Sequence, residues 1–134
     1  MIYNGATWDR LRTPTTVKSA SSATSSSVGI WTPAAGKKFR LMGYWLHVDS
    51  NVAAAASANA NVFLSDGATT MGIVHRCFIP TTALTAEGAP ALDMGFINLG
   101  NGILSAAADR VLNFTLSDSL TLRVARIFVC GTEE

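Results

Sequence analysis

Alternation is the clearest signal in the chain. Between Val111 and Ser117, the apolar Leu112, Phe114 and Leu116 fall on one face and Asn113, Thr115 and Ser117 on the other. A period of two marks a half-buried strand, because successive side chains point to opposite faces of a sheet. Ala58, Ala60, Val62 and Leu64 alternate in the same way against Asn59, Asn61 and Ser65. Asp66-Gly67 is then a tight-turn signal, and a second strand runs from Met71 to Ile79, where Pro80 stops it.

The run from Lys38 to Val48 is apolar on both faces. Phe39, Leu41 and Trp45 share one face; Met42, Tyr44, Leu46 and Val48 share the other. That predicts a central strand, or one with a face covered by another subunit. A preceding strand ends at Trp31 and returns through the turn Pro33-Ala34-Ala35-Gly36. Residues 18–27, rich in Ser and Ala, form either a flexible linker or an edge strand with small side chains. Ala53 to Ala60 reads as a short helix or as a loop entering a strand.

Residues 80–92 read as a long loop with a one-turn helix at Thr81 to Leu84. A strand from Met94 to Leu99 follows, then a turn at Gly100-Asn101-Gly102, then a loop or helical turn from Ile103 to Asp109. In the last run, Leu120, Leu122 and Val124 share a face before the aliphatics change phase to Ile127 and Val129. A phase change within one strand predicts a β-bulge near Ala125-Arg126.

Residues 1–17 read as an extended N-terminal arm. Tyr3, Trp8 and Leu11 follow neither strand nor helix period, and Pro14 discourages regular structure. Residues 18–134 contain seven or eight strands separated by Gly, Pro, Asn and Asp, with no amphipathic helix of three turns. The expected fold is a single all-β domain, an antiparallel β-sandwich with jelly-roll-like connections. The strand order is not readable at this level.

Composition sharpens this picture. Of 134 residues, 49% are hydrophobic and only 14% charged, with a formal net charge of +1. A surface this poor in charge implies cover by other subunits, so an oligomer is expected. Lys37-Lys38 is the largest basic cluster, too small to neutralise a run of phosphates, so no nucleic-acid partner is expected. The N-terminus lacks a signal-peptide pattern, and no apolar run reaches the roughly 20 residues of a membrane helix. Synthesis in the cytoplasm and no membrane partner are expected. Cys77 and Cys130 lie in strand-like runs and read as buried, reduced core residues.

Catalytic chemistry is not in evidence. His47 and His75 sit inside strand patterns without a nearby carboxylate or a Cys at metal-ligand spacing. His75 and Cys77 share a strand face, but a metal needs further ligands and His47 is the only other histidine. Asp49, Asp66, Asp93, Asp109 and Asp118 read as turn or strand-end residues. No phosphate loop, dinucleotide fingerprint or nucleophile elbow occurs. The expectation is a protein with no enzymatic activity, catalytic residue, metal or cofactor. Trp31 and Trp45 are expected in the core. An exposed row of Trp31, Tyr44 and Trp45 would instead favour a carbohydrate-binding module.

Two regions carry a resemblance. Tyr3-Asn4-Gly5-Ala6-Thr7-Trp8-Asp9-Arg10-Leu11-Arg12 resembles a stretch of the form YNG-x-TWDR-x-R in structural proteins of tailed phages and prophages. Trp31 to Leu41, with the ending Val129-Cys130-Gly131-Thr132-Glu133-Glu134, is similar to small phage virion proteins of β-sandwich type. The resemblance implies a head decoration (cement) protein, a homotrimer that binds the major capsid protein on the outside of the virion. Tyr3 and Trp8 would bury area on the capsid, while Arg10 and Arg12 would pair with its carboxylates. Alternatively Trp8 packs on its own domain and Asp9 pairs with Arg12. A tail, baseplate or fibre-associated role is the alternative within the virion.

Overall fold

The computed structural model describes residues 2–3, 8–9, 13–50, 58–67, 69–79, 89–120 and 123–134. These form ten strands: β1 (Ile2–Tyr3), β2 (Trp8–Asp9), β3 (Thr16–Ser22), β4 (Ser27–Trp31), β5 (Phe39–Ser50), β6 (Ala58–Asp66), β7 (Thr69–Ile79), β8 (Ala89–Leu104), β9 (Leu112–Leu116) and β10 (Arg123–Glu133). No helix occurs among the described residues. The expected helical turn at Thr81 to Leu84, and most of the Ala53 to Ala60 segment, lie outside them.

Eight strands make two four-stranded antiparallel sheets, ordered β3-β10-β5-β8 and β4-β9-β6-β7. The pairings nest: β3 with β10, β4 with β9, β5 with β8, and β6 with β7. Alternate pairs fall in alternate sheets. A long hairpin has in effect been rolled up, which is the jelly-roll arrangement of a β-sandwich. The small β1–β2 ribbon stands apart, with Ile2 opposite Asp9 and Tyr3 opposite Trp8. β3 is an edge strand, so the Ser/Ala-rich segment is sheet rather than linker over residues 16–22.

The core lies between the sheets and follows the predicted alternation on β6 and β9. On β9, Leu112, Phe114 and Leu116 are buried; on β6, Ala60, Val62 and Leu64; on β10, Ala125, Ile127 and Val129. Trp31 is fully enclosed, and its ring lies against Phe39 with centroids 5.9 Å apart. Its indole Nε1 donates to Glu133 Oε1 at 2.9 Å, which satisfies the one polar atom on a buried ring.

β5 departs from the pattern. Phe39 and Leu41 are buried, but so are Tyr44, Leu46 and Val48, while Trp45 is exposed. On β10, Cys130 pairs with Gly43 and Gly131 with Leu41, which leaves Met42 as an extra residue. One inserted residue reverses the in-and-out sense of everything beyond it. The two halves of β5 therefore present opposite parities to the core, and the predicted grouping of Trp45 with Phe39 and Leu41 is overturned.

β8 adapts to the same bulge from the other side. Ile103 pairs with Leu41 and Asn98 with Gly43, so β8 spends the residues between them opposite Met42 alone. Gly100 and Gly102 have φ of 61° and 80°, in the left-handed region that glycine enters freely. Gly100-Asn101-Gly102 is thus a kink within one 16-residue strand, not the expected turn.

β10 also corrects an expectation. Its register is continuous from Arg123 to Cys130, with no bulge at Ala125-Arg126. Leu120 is buried but precedes the strand, its amide donating to the Ala23 carbonyl at 2.7 Å. Counting it as strand created the false phase change. Cys130 has the outward parity and is only half-buried, although it is a free thiol as expected.

A polar tie crosses between the sheets. Tyr44 Oη on β5 and His75 Nε2 on β7 lie 2.5 Å apart. Burial raises the Tyr44 pKa above its usual 10.0 and lowers that of His75 below its usual 6.5. As pH falls, the unfolded chain takes up the His75 proton before the folded chain does. Stability is thus complete above pH 6.5 and declines as pH falls through the lowered folded value. Urea midpoints measured from pH 8 to 5 should show this decline, and His75→Gln should flatten it; an unchanged slope would refute the assignment. Gly131 tests the bulge. A Cβ there would strike the Arg40 carbonyl and approach the Trp31 ring to 2.9 Å. Gly131→Ala should destabilise the fold by about 2 kcal/mol or more in denaturant unfolding.

Candidate functional site

The Met42 bulge turns Trp45, His47 and Asp49 to the outer face of the β3-β10-β5-β8 sheet. Register then builds a row across that face. Phe128 on β10 and Phe96 on β8 are the direct partners of Trp45 on either side. Arg126 and Asp93 flank His47 in the next row. Phe96 and Asp93 have opposite parity on β8, yet both reach this face because β8 is irregular between them, where Gly95 has φ of 66°. Phe96 reclines over Gly43, where a Cβ would collide with its ring.

The rings form a stack. Trp45 lies 5.5 Å from Phe128 and 5.0 Å from His47, and His47 is nearly parallel to Phe128 at 5.9 Å. Cross-strand aromatic pairs stabilise a sheet, and here they also rigidify a surface. Exposure remains substantial: Phe96 62%, Phe128 37% and Trp45 36%. Contiguous exposed apolar groups of this size mark an interaction surface.

A charged rim fixes the rings. Asp93 Oδ1 accepts from Trp45 Nε1 at 2.6 Å and from the Gly95 amide at 2.8 Å. Arg126 Nε donates to Asp49 Oδ2 at 2.6 Å, and His47 Nε2 lies 3.5 Å from the same oxygen. His47 thus has the carboxylate neighbour that the sequence reading denied it. Residues two apart on a strand share a face, so the His47–Asp49 spacing was the available signal. Apolar rings inside a charged rim reproduce the anatomy of a protein interface.

The other candidates fall elsewhere. Tyr3 and Trp8 are register partners in the β1–β2 ribbon. Arg10 and Arg12 lie outside the described residues. Trp31 and Tyr44 are buried, so of the three aromatics weighed for sugar stacking only Trp45 reaches the surface. Phe96 and Phe128 were missed, since exposure cannot be read until the register is known. Burial pushes the Cys130 thiol pKa up, so the thiolate that a nucleophile needs is disfavoured. Among the described residues, no three His, Cys, Asp or Glu side chains come together to hold a metal. Asp66 is no plain turn residue either: it is buried and accepts from the Ala106 amide at 2.6 Å. The sequence matches no protein-family model, and no curated protein matches it.

The bonds from Trp45 and Gly95 hold the Asp93 carboxyl below its usual 3.8. The Trp45 indole N–H resonance should therefore titrate with a midpoint below 3.8. Asp93→Asn should abolish that titration; a midpoint at or above the usual value would remove the bond from the account.

Proposed function

We propose that this chain is a non-catalytic structural protein that decorates the head of a tailed bacteriophage, binding the outside of the capsid as a homotrimer and stabilising it. The observation that carries this reading is the exposed row Phe128, Trp45 and Phe96 with its charged rim on the outer face of the sheet. Jelly rolls serve both viral shells and lectins, so the fold alone does not separate them; the aromatic row supports the first reading. The Trp45 ring stacks on Phe128 and His47, which commits aromatic surface a sugar would need.

In this reading the aromatic row is buried between protomers. The arm carrying Tyr3, Trp8, Arg10 and Arg12 reaches the major capsid protein. A stable interface needs about 800 Å² per partner, with aromatic anchors at its centre, and the row supplies such a centre. Symmetry multiplies weak contacts into a strong hold, so each arm needs only modest affinity. A tail, baseplate or fibre location uses the same surface on a different partner.

Light scattering of the purified protein, with and without capsids lacking it, tests the reading. A trimer that binds those shells and raises their melting temperature is expected. Trp45→Ala with Phe96→Ser should weaken self-association by about 30-fold or more, the equivalent of one strong anchor. Arg10→Glu with Arg12→Glu should leave the trimer intact and lose the shell. A monomer that ignores the shells overturns the proposal, and binding to tails in place of heads moves the protein to the tail alternative.

A further inference from the structure

The outer face of the β4-β9-β6-β7 sheet differs chemically from the face just described. Because Ala60, Val62 and Leu64 are buried, β6 turns Asn59, Asn61, Phe63 and Ser65 outward in succession. On β7, Phe78 pairs with Asn59 and Arg76 with Asn61. Phe78 is 61% exposed. With Ser117 and Asp118 beyond β9, Asn59, Asn61, Arg76 and Phe78 line a shallow depression of about 280 Å³. A second depression of about 390 Å³ lies further along β6, between Phe63, Ser65, Thr70 and Thr115.

The walls are held by local bonds. Ser117 Oγ accepts from the Asn61 amide and donates to Asp118 Oδ2, both at 2.9 Å, and the Ser117 amide donates to the Asn61 carbonyl at 2.9 Å. Among the described residues, no hydrogen bond within the chain engages the side-chain amides of Asn59 and Asn61 or the Arg76 guanidinium. An amide side chain offers both donors and an acceptor, which matches the hydroxyl group.

The ligand class follows from what the face presents. One guanidinium and one carboxylate nearly cancel, so a charged ligand is not selected. A single cation cannot hold a nucleic acid backbone. An extended peptide would add to the free backbone edge of β7, beside this face rather than across it. What remains is a neutral molecule with an apolar side for the phenyl ring and a fringe of hydroxyls for the amides. We propose that this face binds a neutral oligosaccharide, with Phe78 against a sugar ring and Asn59, Asn61 and Arg76 on its hydroxyls. The outward run from Asn59 to Ser65 spans about 20 Å, long enough for several sugar units. This inference goes beyond the decoration role and does not depend on it, since the two surfaces lie on opposite sheets.

The test is an amide NMR titration of the intact protein with four neutral tetrasaccharides, built of glucose, galactose, mannose or N-acetylglucosamine. At least one should shift resonances of β6 and β7 at millimolar concentration. Phe78→Ala and Asn61→Ala should each weaken binding about tenfold or more, with the melting temperature unchanged. Arg76→Gln should weaken it without loss of fold. Trp45→Ala should leave the affinity as it is while altering self-association. Absence of β6–β7 shifts with all four saccharides overturns the proposal. So does loss of binding in Trp45→Ala, which would place the sugar on the other sheet.

Discussion

One extra residue in the middle of β5 governs what this molecule shows to its surroundings. A strand sends alternate side chains to opposite sides, so an apolar run on both faces must either be covered twice or change sense along its length. β5 does the second. Opposite Met42 its neighbours give way, β10 with the side-chain-free Gly131 and β8 with the left-handed Gly100 and Gly102. Phe39 and Leu41 fill one end of the core, and Tyr44, Leu46 and Val48 fill the other. The surplus ring, Trp45, is delivered to the surface together with His47 and Asp49.

That constraint also explains which features were legible in the sequence. β6 and β9 alternate without interruption, and their buried faces were readable residue by residue. Asp66-Gly67 marked its hairpin because Gly67 does take up a positive φ of 58°. Gly100 and Gly102 carry the same local signal as a turn, since a bulge and a turn both call on glycine for the same backbone freedom. Only pairing with β5 tells them apart. The misplaced bulge at Ala125-Arg126 has a related cause: a buried leucine just ahead of a strand looks like part of it.

The candidate site was less legible than the fold because it is made by register rather than by motif. Phe96, Trp45 and Phe128 are far apart in the chain and become a row only when three strands align. The arm residues, by contrast, drew attention through a local string of letters. The two outer faces then divide the chemistry of the sandwich. One gathers aromatic rings and charges suited to a protein surface, and the other gathers amides, hydroxyls and phenyl rings with little net charge.

The nesting of strand pairs has a consequence for how the molecule is made. β10 sits between β3 and β5, yet it is built from residues 123–133, after every other strand has been translated. Until that segment clears the ribosome, β3 has no partner and β5 exposes a bare edge beside its aromatic residues. The first sheet therefore closes only once β10 has emerged, and the nascent chain carries sticky, unpaired strand edges up to that moment. Sparse charge offers little electrostatic protection during this interval. β3, made mostly of Ser, Ala, Thr and Lys, offers a largely polar edge with small side chains while it waits.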